Sequence, residues 1–151
     1  AQAFGMEVLV ASLPGRPGGD DRVPLEALLP RVDALSLHCP LTPETRGLIG
    51  ARELGLMRPR AMLINTARGA LVDGVALAAA LRAGRLAGAG IDVLPEEPPV
   101  HGDPLLADDI PNLIVTPHVA WAALEARQRA VDEVAANIAS FLAGGRRGRV
   151  A

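Results

Sequence analysis

Residues 60–93 read RAMLINTARGALVDGVALAAALRAGRLAGAGIDV. The stretch opens with a short apolar run, 60–65, of strand length. Thr66-Ala67-Arg68-Gly69 follows as a loop. Over 73–83 apolar residues recur at helical spacing; Asp73 stands where an N-cap is wanted and Gly84 lies just past the last turn. Residues 87–93 form a second strand candidate, weakened by its glycines. Strand, helix, strand in this order is a βαβ unit, and its two strands must run parallel.

The alternation continues on both sides. Upstream, 6–11 (MEVLVA) and 33–37 (DALSL) are strand candidates, and 13–22 is a loop rich in Pro, Gly and Asp. Residues 24–30 carry leucines at helical spacing behind Pro24, a favourable first position. Thr42-Pro43-Glu44-Thr45 reads as a helix start, and 50–56 as another short helix. Downstream, 113–116 (LIVT) is a fifth strand candidate and 121–142 the longest helix, ending at Gly144-Gly145. The opening residues 1–5 read as the last turn of a helix stopped by Gly5, so further protein is expected upstream. Short apolar strands are what a parallel sheet buried on both faces requires. The expected fold is therefore α/β, a doubly wound parallel sheet incomplete at its N-terminal side. It would occupy 1–142, with 143–151 a frayed tail.

Composition narrows the function classes. Half of the 151 residues are hydrophobic, enough for a core of ordinary domain size. Charged residues make up 21%, with a net charge of −2, which excludes a strongly basic nucleic-acid binder and an acidic disordered tail. No apolar run approaches the ~20 residues a membrane helix needs. Neither a membrane nor a nucleic-acid partner is expected. No basic segment precedes an apolar stretch, so no signal peptide is visible and a cytoplasmic location is expected. Cys39 stands alone, without a disulfide partner or the companions of a metal site. Phe4, Phe141 and Trp121 are the only aromatics, so the core must be packed from Ala, Leu, Val and Ile.

In open α/β sheets ligands sit beyond the carboxyl ends of the strands. At those positions the sequence places His38-Cys39-Pro40, Thr66-Ala67-Arg68-Gly69, Asp92 with Glu96-Glu97, and Pro117-His118. A cation for an anionic substrate, an acid/base histidine and a carboxylate to hold it form a plausible constellation. Each has an ordinary reading too. Arg68 could be a solvated loop residue, Glu96 and Glu97 polar surface, Asp92 the cap of a turn, and His38, His101 and His118 unremarkable loop histidines.

The wording of these segments adds to their spacing. LHCPLTPETRG over 37–47, INTARGALVD over 64–73, GIDV over 90–93 with Glu97-Pro98, and Val115-Thr116-Pro117-His118 resemble the D-2-hydroxyacid dehydrogenases. Four motifs stand in the family's order, and the likeness runs over most of 3–142. Within the family, Leu13-Pro14-Gly15-Arg16-Pro17 and Pro117-His118-Val119-Ala120-Trp121 look most like the glycerate dehydrogenase (hydroxypyruvate reductase) branch. The resemblance implies a Rossmann-like NAD(P)-binding domain and reduction of a small 2-keto acid, hydroxypyruvate or glyoxylate. It implies that Arg68 binds the substrate carboxylate, a task suited to a planar guanidinium with parallel donors. It implies that His118 is the general acid/base and that Glu97, directly before a proline, orients it. The cofactor contacts it implies are Cys39, Pro40, Thr66, Ala67, Arg68, Asp92, His118 and Ala120. It also implies a homodimer in the full-length protein, with helix 121–142 leading toward a substrate domain outside this sequence.

Two departures qualify that reading. No Gly-x-Gly-x-x-Gly occurs, and the acidic residue expected after the strand ending near Val10 is replaced by Ser12 or a neighbour, with Arg16 beyond. An acid there bonds the ribose hydroxyls and repels a 2′-phosphate, so NAD and NADP both remain open. The 151 residues alone are expected to be inactive. A dinucleotide-sensing module of the corepressor type and a non-functional fragment are the alternatives. Formate dehydrogenase relatives are disfavoured, because an amide would be expected where Glu97 stands.

Overall fold

The computed structural model describes residues 1–15, 19 and 21–148. Among these, six short strands and four helices alternate: β1 (Val10–Ala11), β2 (Arg22–Val23), α1 (Leu25–Leu28), β3 (Ala34–Leu37), α2 (Ala51–Leu56), β4 (Met62–Asn65), α3 (Gly74–Arg82), β5 (Gly88–Ile91), β6 (Leu113–Val115) and α4 (Leu124–Leu142). Residues 1–117 form one unit, and a second begins at His118.

In the first unit β1 pairs with β2, and β3-β4-β5-β6 form a four-stranded sheet, every neighbour parallel. The register aligns Leu37 with Asn65, Asn65 with Ile91 and Ile91 with Val115. The loops after these four residues therefore leave along one edge.

The helices form where their ends can be satisfied. In α3, Asp73 accepts the amide of Ala76 at 3.0 Å, and Gly84 turns the chain away at φ 64°. In α2, Glu53 reaches back to the Gly50 amide at 3.1 Å, covering a donor the helix start leaves open. Both helices pack on each other. Their leucines and alanines, with Leu35, Leu37, Leu63, Ala89 and Ile91 from the sheet, make one core without an aromatic side chain. Arg82 clamps the end of α3 to Asp109 in the loop before β6 through two hydrogen bonds, 2.5 and 2.8 Å.

Several sequence expectations need correction. The strand at 6–11 shrinks to Val10–Ala11, and Arg22–Val23, read as loop, forms its parallel partner; two residues carry no periodicity to detect. Thr42-Pro43-Glu44-Thr45 makes a turn and not a helix, because the buried Thr45 hydroxyl accepts from the Thr42 amide and donates to the Pro40 carbonyl, both at 2.8 Å. Residues 24–30 split into α1 and a 3-10 turn, Leu29–Arg31, with Pro24 one place before the helix. α4 starts at Leu124, later than 121. The strands are apolar on both faces but not buried on both: Leu35 and Leu63 are buried, while Met62 is 48% and Ile114 69% exposed on the opposite face. Residues 1–5 do end a helical turn, Gln2–Phe4, closed by Gly5 at φ 75°. Residues 16–18 and 20 of the 13–22 loop lie outside the described residues, as do 149–151 of the tail. At 147 the Arg guanidinium reaches Glu133 on α4 at 2.7 Å.

Two outcomes follow from this packing. Leu77 is fully buried at the centre of the α3 contact, so Leu77→Ala should lower stability by about 2–5 kcal/mol in urea denaturation. The Arg82 hydrogen bonds hold the Asp109 carboxyl below its ordinary range. A depressed folded-state pKa contributes stability above the unfolded value, about 3.9, that is lost as pH falls through the folded one. The Tm gap between wild type and Asp109→Asn should therefore be open at pH 7 and close below about pH 4.

Candidate active site

The site is assembled from the loops that leave the aligned ends of β3, β4 and β5. After β3, the His38 ring lies 2.8 Å from the Ser36 hydroxyl, and Cys39-Pro40 follows. Thr45 then fixes the carbonyl of Pro40 from below.

After β4, the chain turns around the side chain of Asn65, which is 0% exposed. Its Oδ1 accepts the Ala67 amide at 3.1 Å, and its Nδ2 donates to the Arg68 carbonyl at 2.9 Å. The turn Thr66-Ala67-Arg68 is thus closed by one amide in the manner of an Asx turn. One guanidinium N–H of Arg68 donates to the Ala67 carbonyl at 2.6 Å. Among the described residues no carboxylate pairs with it, and the residue is exposed.

These two loops line a cleft of about 590 Å³, walled by His38, Cys39, Pro40, Leu41, Thr66, Ala67 and Arg68. Five of the seven are residues singled out from the sequence as cofactor contacts. A smaller cleft of about 200 Å³, walled by Leu13, Pro14, Gly15, Pro40, Thr42, Glu44 and Thr45, shares Pro40 with it. A hydrogen bond from Thr42 holds the Glu44 carboxyl below its ordinary range.

After β5, Asp92 is nearly buried and accepts the Thr116 hydroxyl at 2.5 Å, which ties the ends of β5 and β6 together. The next loop separates its two glutamates. Glu96 is taken up by His101, with Oε1 2.9 Å from Nδ1. Glu97 turns back so that its Oε1 accepts the Leu94 amide at 2.7 Å, and the Glu97–Pro98 bond is cis.

In the second unit, His118 opens a turn in the left-handed region, φ 55°, which a non-glycine residue adopts only when its surroundings hold it there. The Trp121 indole donates to the His118 carbonyl at 2.7 Å, and the Ala122 amide to that of Val119 at 2.9 Å, with Ala120 between. The Arg127 guanidinium lies 6.0 Å from the centre of the Trp121 ring.

The structure thus brings Cys39, Pro40, Thr66, Ala67 and Arg68 around one cleft. It sets Asp92 and Glu97 at and just beyond the adjoining strand end, and holds His118 and Ala120 in a braced turn of the second unit. Sequence reasoning missed His38 and Leu41 as walls, and Asn65 and Gly69 as supports. The signal for Asn65 was present: an Asn ending a strand before a polar turn is an Asx-turn pattern. Nothing local marks Gly69, whose neighbour is Leu94. Among the described residues no cluster could hold a metal ion, and no helix is long and apolar enough to cross a membrane.

Comparison with known proteins bears on the same residues. Residues 1–120 match the family described as D-isomer specific 2-hydroxyacid dehydrogenase, NAD binding domain. The chain is 49% identical over 144 residues to the glycerate dehydrogenase of Methylorubrum extorquens, covering 95% of this chain and 45% of that protein. A D-isomer specific 2-hydroxyacid dehydrogenase from Lactobacillus delbrueckii ssp. bulgaricus, solved in its NAD-complexed form, superposes with a TM-score of 0.81 at 31% identity, over 97% of this chain and 49% of that one. The NADPH-dependent glyoxylate/hydroxypyruvate reductase of Sinorhizobium meliloti, solved with NADP and malonate, superposes with a TM-score of 0.75 at 35% identity, over 93% and 44%. The chain spans about half the length of the relatives it matches.

Replacing Asn65 by Ala strands the Ala67 amide and the Arg68 carbonyl. The expected loss is about 1–3 kcal/mol of stability for each group left unpaired. Limited trypsin digestion should cut the variant after Arg68 faster than wild type.

Proposed function

This chain belongs to the D-isomer specific 2-hydroxyacid dehydrogenase family, and from that membership we propose that it is the nicotinamide-binding part of an oxidoreductase that reduces glyoxylate or hydroxypyruvate to the corresponding 2-hydroxy acid. The single observation that carries the reading is Arg68. It stands on the wall of the cleft at the carboxyl edge, among residues matching the family's cofactor contacts, with guanidinium donors to spare.

When bound, NAD(P)H supplies the hydride. Cys39, Pro40, Thr66 and Ala67 would hold its nicotinamide end. Arg68 takes the substrate carboxylate between parallel N–H donors and draws electron density from the adjoining keto oxygen. His118 gives a proton to that oxygen as it becomes an alkoxide, and takes one back in the reverse direction. Glu97 would orient the imidazole and stabilise its charged form, the role a carboxylate plays toward an acid/base histidine. Asp92, anchored by Thr116, keeps the end of β5 in place. The reading leaves NAD and NADP both open.

Arg68→Lys tests the assignment in the full-length protein. Lys keeps the charge and loses the paired donors, so kcat/KM for glyoxylate should fall by about 10²–10³-fold. Unchanged turnover in steady-state kinetics removes the role. The 151 residues expressed alone should give no turnover, because the glycine turn for the pyrophosphate and a second wall to exclude water are not among them. Calorimetric titration with NADH and NADPH, followed by absorbance assays with both keto acids, checks this; micromolar affinity with steady turnover would show that another segment replaces the turn.

A further inference from the structure

The loop bearing Arg68 and the loop bearing Glu97 meet at Gly69. This residue is buried, and a Cβ built on it would lie 2.1 Å from the Leu94 carbonyl carbon and 2.4 Å from both the Leu94 oxygen and the Pro95 nitrogen. Its φ lies outside the left-handed region, so backbone conformation does not demand glycine there. The demand is for space: the Gly69 Cα rests directly on the Leu94–Pro95 peptide.

Both partners of that contact are tied to groups the proposed function uses. Behind Gly69, the carbonyl of Arg68 is bonded to the buried Asn65 amide at 2.9 Å, and the Gly69 carbonyl accepts the Val72 amide at 3.1 Å. Behind Leu94, its amide is gripped by the Glu97 carboxylate at 2.7 Å. The Asp92 amide donates to the Asn65 carbonyl at 2.9 Å, so the two loops also share a root. Leu94 is therefore held on one side by Glu97 and on the other by Gly69, and Arg68 is the residue next to Gly69.

We infer that Gly69 is a positioning residue that fixes the spacing between the Arg68 and Glu97 loops by direct backbone contact. Its catalytic meaning rests on the function proposed above; the mechanical coupling does not. Ordinary contact for a methyl begins at 3.4 Å, so an alanine forces the two loops apart by about 1 Å. A displacement of that size at a reacting geometry costs on the order of 10²-fold in rate.

The experiment compares Gly69→Ala with Gly88→Ala in the full-length protein. Gly88 also faces a close backbone atom, the Asn112 oxygen 2.9 Å from its Cβ position, but it lies at the opposite end of β5 from Asp92. Amide exchange reads the coupling and kinetics read its consequence. In Gly69→Ala the Leu94 amide should exchange about tenfold faster or more. Exchange at Leu63 should be unchanged, kcat for glyoxylate should fall about 10²-fold, and the Kd for NADH should stay within about twofold. Gly88→Ala should lose stability without either effect. Unchanged Leu94 exchange, or an equal loss of kcat in Gly88→Ala, overturns the inference. A wild-type protein without keto-acid turnover sinks the proposed function, and the exchange result then decides the coupling by itself. Should Gly69→Ala fail to fold, Glu97→Ala frees Leu94 from the other side. Faster exchange at Val72, whose amide is held by Gly69, then sustains the coupling, and unchanged exchange overturns it.

Discussion

The side chain of Asn65 sits where no water reaches it, and a buried amide whose polar atoms lack partners is costly. Its Oδ1 and Nδ2 are satisfied by the Ala67 amide and the Arg68 carbonyl, its own main chain by the neighbouring strands. That single requirement fixes how the chain leaves β4 and so where Arg68 begins. The loop after β5 packs against the same turn through Gly69, and β6 joins through Thr116 and Asp92. The edge of the sheet behaves as one linked set of hydrogen bonds and contacts, with the rigid strands behind it.

Those strands are held by an aliphatic core that is small but continuous. Leucine and alanine from α2 and α3 fill the space over Leu35, Leu63, Ala89 and Ile91. Burial of this kind is non-directional. It stabilises the layer of helices on the sheet without choosing among close alternatives for the loops. The loops are chosen by directional groups: Thr45 under Pro40, Asn65 under Arg68, Glu97 on Leu94. Packing supplies stability, and a few directional hydrogen bonds supply the shape of the site.

Charge is distributed in the same divided way. Arg52 with Glu26, Arg58 with Asp33 and Arg82 with Asp109 are exposed pairs, and such pairs contribute little each. Arg68 departs from that pattern. It lies in a cleft, has no carboxylate partner among the described residues, and uses one N–H on its own backbone neighbour. An exposed guanidinium without a carboxylate partner is suited to an anion that arrives from outside.

The sequence alone determined the α/β class, the parallel order of the units, the capped α3, and the chemical character of the loops after each strand. These are local properties: periodicity, capping residues and motif wording are carried by neighbours along the chain. It could not determine that 42–45 would turn and not coil, since that depends on a hydroxyl reaching back to Pro40. Nor could it show the two-residue pairing of Arg22–Val23 with Val10–Ala11, or the bare sheet face at Met62 and Ile114. Tertiary structure alone decided that Glu96 goes to His101 while Glu97 grips Leu94, and that Gly69 meets a peptide twenty-five residues further on. The physical reason is the same in each case. Whether a polar group is satisfied, and whether a methyl has room, depend on atoms that only folding brings near.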